Sequence, residues 1–205
     1  MNAEKKDQIM NAAVELFAVK GFEGTSVREL ASKAGVNLAM INYYFGSKEK
    51  LFENIVECKA VNTREELEEI ANDKELDEIG KIDKMVDNYV RRLFCNRYFH
   101  RVIHHELMLN QREELQNVIV TKLFPNSNII KGVLEDGIKK GVFKKVDTEL
   151  TIASLVGTIN QVLLSKKFCN KMMSKPENYV PYDDEKFIKR VSDHIKSLMR
   201  SHILK

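Results

Sequence analysis

The 205-residue chain has no tryptophan, only three prolines, nine glycines and three cysteines. Each scarcity excludes something. With so few helix-breaking residues, long uninterrupted helices have room to form. Cys58, Cys95 and Cys169 are odd in number, far apart and without metal-ligand spacing, so neither a disulfide framework nor a cysteine zinc site is expected. Free thiols in a reducing compartment fit instead. No apolar run approaches the roughly 18 residues that span a bilayer. The opening MNAEKKDQIM has no apolar stretch after its charges and does not read as a secretory leader, so a cytoplasmic protein is expected. Strand-type alternation, repeats and low-complexity tracts are missing too. Charge of one sign is also scarce: 33 Lys and Arg stand against 30 Asp and Glu, a net +3 that does not by itself indicate a nucleic-acid partner.

The distribution of that charge says more. Residues 61–80 carry Glu65, Glu66, Glu68, Glu69, Asp73, Glu75, Asp77 and Glu78 against Arg64 and Lys74. Residues 25–50 carry Arg28, Lys33, Lys48 and Lys50 against Glu29 and Glu49. A mildly basic start followed by an acidic stretch fits a polyanion met at one end only.

What the chain does have is helical period almost throughout. Ile9, Ala12, Ala13, Leu16 and Phe17 recur at i, i+3, i+4, i+7 and i+8, predicting a helix over 3–20 that Gly21 stops. Ser26 and Glu29 have capping-box spacing, Val27, Leu30 and Ala31 give the following helix an inner face, and Gly35 ends it. A third helix runs from Asn37 to Phe45, burying Met40 or Ile41 and Tyr44 or Phe45. Gly46 and Ser47 break the chain before a longer helix whose apolar face begins with Leu51, Phe52, Ile55 and Val56. Further helices are expected at about 81–99, 101–111, 115–140, 148–168 and 184–200, with Pro125 kinking or splitting the third of these. Residues 169–183, with two prolines and no period, read as a loop. The expected fold is all-α: a three-helix head over 1–47 and a helical body over 48–205.

Residues 26–45 hold the informative geometry. Two short helices joined by a tight turn need a small residue where they meet, a residue free to take positive φ at the turn, and an apolar residue facing back from the second helix. Ala31, Gly35 and Ile41 supply these, which describes a helix-turn-helix whose second helix enters the DNA major groove. An ordinary helical hairpin is the alternative on spacing alone. Lys48 adds a physical clue. A cation in the first turn of a helix opposes the macrodipole unless an anion such as phosphate sits there; a snorkelling lysine beside Glu49 is the bland reading.

The segment from Gly21 to Phe52, GFEGTSVRELASKAGVNLAMINYYFGSKEKLF, resembles the head of tetracycline-repressor-type (TetR-family) regulators. The shared features are Gly-Phe-x-x-Thr-Ser, Val-Arg-Glu-Leu-Ala-x-x-Ala-Gly-Val and Tyr-Tyr-Phe-x-Ser-Lys-Glu-x-Leu. The resemblance implies three head helices on a six-helix body, homodimerisation through the last two helices, and release from DNA when a small molecule enters the body. A palindromic operator, a repressor's role and no cofactor or catalytic residues follow from it.

Carried over by position, DNA contacts fall to Thr25, Ser26, Arg28, Asn37, Leu38, Ala39, Met40, Asn42, Tyr43 and Lys48. Leu38, Ala39 and Met40 cannot form the bidentate bond that arginine makes to guanine, but Ala39 and Met40 can meet thymine methyls. Asn42 departs from the tyrosine more usual there and can bond adenine at N6 and N7 together. Asn37 can cap its helix or bond a phosphate. Tyr43 resembles the family's phosphate-contacting aromatic.

In the body, Ile152, Leu155, Val156, Ile159 and Leu163 stripe one helix, with Ser154, Gly157 and Thr158 keeping an adjoining face small. Phe187, Ile188, Val191, Ile195, Leu198 and Met199 stripe the last. These helices either close the protomer's core or, as the resemblance implies, pair across a two-fold axis through Ile152, Leu155, Ile159, Val191, Ile195 and Leu198. Tyr89, Phe94, Tyr98, Phe99, His104, His105 and Met108 form a cluster that either lines an effector cavity or is ordinary core. His100 and His104, at i, i+4 with Glu106 near, suggest a weak metal or enzyme alternative without a third firm ligand. A helical co-regulator acting through protein contacts is a further alternative.

Overall fold

A computed structural model describes residues 2–109, 111–163 and 165–205. Their elements are α1 (Asn2–Lys20), α2 (Val27–Ala34), α3 (Leu38–Phe45), α4 (Lys48–Asn72), α5 (Glu78–Cys95), α6 (Arg97–Leu109), α7 (Glu113–Lys139), α8 (Thr148–Leu163), α9 (Lys166–Met172), a 3₁₀ turn (Pro181–Asp183) and α10 (Glu185–Ile203). The all-α expectation holds, and the only strand-like pairing among the described residues is an isolated bridge between Phe143 and Leu204. None of the described helices is long and apolar enough to cross a membrane. Residue 110, at the end of the helix expected over 101–111, and the side chain of Leu163 lie outside the described residues.

Two compact units emerge from the packing: Met1–Asn62 with Tyr98–Phe124, and Thr63–Arg97 with Pro125–Lys205. We call them the head unit and the body unit. The head unit's core joins Ile9, Ala13 and Phe17 of α1 to Leu30 and Ala31 of α2, Ile41 and Phe45 of α3, and Leu51, Phe52 and Ile55 of α4. Phe17, Phe22 and Phe52 form an aromatic knot with ring centroids 5.2, 5.7 and 6.3 Å apart. Phe99, Val102 and Ile103 of α6 and Leu115 and Ile119 of α7 pack into the same core. The expected division at 47/48 concerned function; by packing, the first helical turns beyond it and a later stretch of chain belong with the head.

In the body unit, α5 contributes Ile82, Met85, Val86, Val90, Leu93 and Phe94 to a core shared with Ile159 and Val162 of α8 and Phe187, Val191, Ile195 and Met199 of α10. A polar seam fixes the register of α10 on α5: Ser192 and Lys196 bond Asp87, and Arg200 pairs with Asp83. Near the end of α7, Gly137 leaves space for the buried Phe143 ring, which a Cβ there would strike at 2.1 Å.

Two expectations need correction. Pro125 lies inside a continuous α7 and so does not split it, because removing one N–H forfeits one bond while the packing of Leu115 and Ile119 before it and Val133 and Leu134 after it holds the rest; it marks where α7 passes from head unit to body unit. The helix expected over 148–168 is two helices. The Ser165 hydroxyl accepts from the N–H of Phe168 at 3.2 Å and starts α9, which takes the beginning of the presumed loop. The rest of that loop is tied down by Asn170, whose Nδ2 donates to the carbonyls of Pro176, Glu177 and Tyr179.

Candidate nucleic-acid interface

The helix-turn-helix is assembled by local chemistry. Gly21 takes φ +75° after α1, and the Thr25 hydroxyl donates to its carbonyl at 2.8 Å. Thr25 is fully buried, so the sequence's expectation of a DNA-backbone contact there is corrected: its hydroxyl faces inward and locks the turn. Ser26 then caps α2 reciprocally. The N–H of Glu29 donates to the Ser26 hydroxyl at 3.2 Å, and the N–H of Ser26 donates to the Glu29 carboxylate at 3.0 Å.

Lys20, first, and then the N–H and hydroxyl of Ser26 hold the Glu29 carboxyl down at about 2. The group's folded pKa lies below its ordinary value of 4.5, so its stabilising effect is complete above that pH and is lost as pH falls towards 2. Ser26→Ala is expected to lower head stability by about 1 kcal/mol at neutral pH. It also returns the Glu29 titration, followed by carboxyl NMR, towards its ordinary range; an unmoved midpoint contradicts the cap's share in the shift.

The turn between α2 and α3 has Gly35 at φ +63° and ψ +35°. The N–H of Val36 donates to Ala31 O at 3.0 Å and that of Gly35 to Ser32 O at 3.2 Å, the paired bonds of a Schellman ending. Asn37 caps α3, its Oδ1 accepting from the N–H of Ala39 at 2.9 Å, so of its two expected roles the geometry uses the cap.

On α3, Ile41 and Phe45 are buried while Met40 and Tyr44 are half-buried. Leu38, Ala39, Asn42 and Tyr43 are exposed, Tyr43 to 79%. These four sit at i, i+1, i+4 and i+5, a single face. Ser26 and Arg28 are exposed at the start of α2.

Lys48 is engaged differently from the sequence's expectation. Its ammonium donates to Phe22 O at 2.9 Å and Thr25 O at 3.1 Å and lies 4.3 Å from the Phe22 ring centroid. Two carbonyls and a π-face answer the unfavourable helix-start position from within, so Lys48 braces the α1–α2 turn that presents Ser26. Sequence reasoning missed Lys6, whose ammonium lies 5.6 Å from the Phe45 ring centroid, at the far end of α3. Its only sequence signal was a Lys5-Lys6 pair at the start of α1, thirty-odd residues from the helix it flanks.

The body residues sort otherwise than expected. Tyr89 and Phe94 belong to the body unit, where burial pushes the Tyr89 phenol up and Phe94 packs against Tyr182 and Phe187. Tyr98, His104, His105 and Met108 belong to the head unit; Tyr98, His105 and Met108 are exposed there, Met108 to 77%. The structure therefore does not gather the six into one cavity within either unit. A groove of about 650 Å³ appears instead in the body unit, lined by Ser165, Lys167, Phe168, Asn170, Lys171, Lys175 and Glu177. Ile159, Val191 and Ile195 are buried in the protomer's own core and cannot face a partner, while Ile152 and Leu155 are half-buried and Leu198 is exposed. The outward face of α8 carries the small residues Ala153, Ser154 and Gly157, with Leu150 exposed at its start and Thr158 half-buried beside it. Glu106 is taken up by Arg112, and the described residues contain no group of three or more His, Cys, Asp or Glu arranged to hold a metal.

A capped helix pair at a Schellman turn, with a bare face on the second helix, defines a helix-turn-helix DNA-binding protein. Residues 9–55 match the profile of the bacterial regulatory proteins of the tetR family. Over 202 residues the chain is 25% identical to a Bacillus subtilis protein named as an HTH-type transcriptional regulator, YttP, covering 98% of this chain and 97% of that one. Over 52 residues it is 46% identical to the HTH-type transcriptional repressor NicS of Pseudomonas putida, 25% of this chain and 24% of that one. A solved Clostridium perfringens structure, described as a fatty acid metabolism regulator, superposes with TM-score 0.79 at 25% identity, over 97% of this chain and 99% of that one. Residues 9–55 thus carry a DNA-binding head of the tetR-family type, and over nearly its whole length the chain is similar to proteins named as regulators.

Proposed function

We propose that the protein is a homodimeric repressor that lays α3 in the major groove at each half of a palindromic operator and leaves it when a small molecule binds the body. The observation that carries this reading is the exposed face of α3, Leu38, Ala39, Asn42 and Tyr43, held rigid from behind by buried Ile41 and Phe45. That face has no charge. Leu38 and Ala39 suit thymine methyls, with half-buried Met40 at their edge, and Asn42 suits an adenine edge. Backbone grip comes from Tyr43, Ser26, Arg28 and Lys6, with Asn37 and Lys48 holding their helices in place.

Dimerisation uses the outward faces of α8 and α10. Leu150, Ala153, Ser154 and Gly157 on one and His194, Ser197, Leu198 and Ser201 on the other are exposed at helical spacing. Small residues there let two copies approach closely. For the effector, the three lysines and exposed Phe168 of the body groove suit an anionic molecule with an apolar part. An operator partner places the protein in the cytoplasm, and the repressor's sign draws support from the relative named as one.

Asn42→Ala tests the reading. It is expected to change the base enriched at one symmetric pair of positions in duplexes selected from a random library, with the salt dependence of binding unchanged. Equal weakening on all DNA with the same enriched sequence contradicts base reading by Asn42.

A further inference from the structure

We propose that Arg112 is a positioning residue for DNA binding, a latch by which the α6–α7 connection holds the α1–α2 turn of the helix-turn-helix. The proposal rests on the DNA-binding reading above but adds a residue well outside the helix-turn-helix. All of its parts lie within the head unit.

Glu106 on α6 is 3% exposed. Arg112 meets its carboxylate with a two-pronged bond, Nε donating to Oε2 and Nη2 to Oε1, each at 3.0 Å. A buried carboxylate without its cation is strongly destabilising, so the pair fixes the guanidinium in place and direction. Gln116 on α7 donates to the Glu106 carbonyl at 3.1 Å and ties down the same corner.

The third edge of the fork is aimed at the turn. Nη1 donates to Glu23 at 3.2 Å, and the guanidinium carbon lies 5.6 Å from the Phe22 ring centroid. The ring of neighbouring His105 comes within 3.7 Å of where a Cβ on Gly21 would stand. Three consecutive turn residues, Gly21, Phe22 and Glu23, are thus each met from the α6–α7 side. The same Phe22 ring and carbonyl are held by Lys48 of α4. What Arg112 fixes is therefore the segment that delivers Ser26 and the start of α2. Neither Glu106 nor Arg112 is among the exposed residues of α2 or α3, so the effect on DNA is through position and not contact.

The test is the double variant Glu106→Met/Arg112→Met, which replaces the buried carboxylate and its half-buried partner by apolar side chains of similar length, an exchange often neutral for stability. Its affinity for a duplex enriched by the wild-type protein is expected to fall about tenfold, the range of a coupling between sites. The slope of binding against salt stays at the wild-type value, since no phosphate contact is lost. In DNA-free protein, amide hydrogen exchange is expected to quicken at 21–26 and not in the cores of α1 and α4. Arg112→Lys, which keeps a charge for Glu106 but loses the fork, is expected to act in the same direction and serves if the double variant does not fold. Unchanged exchange at the turn overturns the latch. So does a salt slope reduced by about one contact, which makes Arg112 a phosphate ligand, or faster exchange throughout the head, which makes the pair a general stabiliser. Failure of the wild-type protein to enrich any duplex would defeat the DNA-binding reading while the exchange comparison still decides the latch.

Discussion

Gly157→Glu is expected to leave each protomer folded, convert the dimer to a monomer, and lower affinity for a palindromic duplex by about 10²–10⁴-fold, the avidity lost when two linked heads become one. Gly157 is exposed on α8, and a Cβ added there meets nothing within 4 Å. Within the protomer, then, the larger side chain has space, and leaving glycine favours the helix by roughly 1 kcal/mol. Across the two-fold axis proposed for this face the same side chain would meet its own copy, adding bulk where the face is small and like charge where none existed. Light scattering reports the mass, circular dichroism the fold and duplex titration the affinity. A variant that remains dimeric contradicts the placement of the interface on this face of α8.

The second large effect is one of stability. Ile41→Ala is expected to cost 2–5 kcal/mol, roughly the range for emptying a buried aliphatic site. Ile41 is fully buried between α3 and the rest of the head core, and α3 spans only eight residues. A helix that short does not persist alone in water, so its order depends on this contact. Duplex binding is expected to fail with it. Leu38→Ala, on the exposed face, is expected to change stability by no more than about 0.5 kcal/mol. Urea denaturation followed by circular dichroism separates the two, and a loss below 1 kcal/mol for Ile41→Ala contradicts the packing described.

The head was legible because its signals are local. Ser26 and Glu29 are three residues apart and need only each other, and Gly35 declares its φ by being glycine. The site's supports were not legible for the opposite reason. Lys48 finds its carbonyls 23 and 26 residues away, and Arg112 reaches Glu23 across 89. An apolar stripe announces that a helix face is buried but not against what. So Ile159, Val191 and Ile195 read equally well as dimer contacts and as protomer core, and the packing assigns them to the core. The body's aromatic and histidine residues misled similarly, since nearness in sequence at 89–108 conceals a boundary between packing units at 97/98.

In the proposed function, two copies of the exposed α3 face read one DNA site. Selection of duplexes from a random library by the wild-type protein, followed by footprinting of the enriched sequence, tests it most directly. The predicted result is a palindrome with half-sites centred about one helical turn apart, roughly 34 Å, protected by two chains and released steeply as salt rises. Enrichment of a single unpaired half-site, or of no sequence above non-specific binding, contradicts the claim.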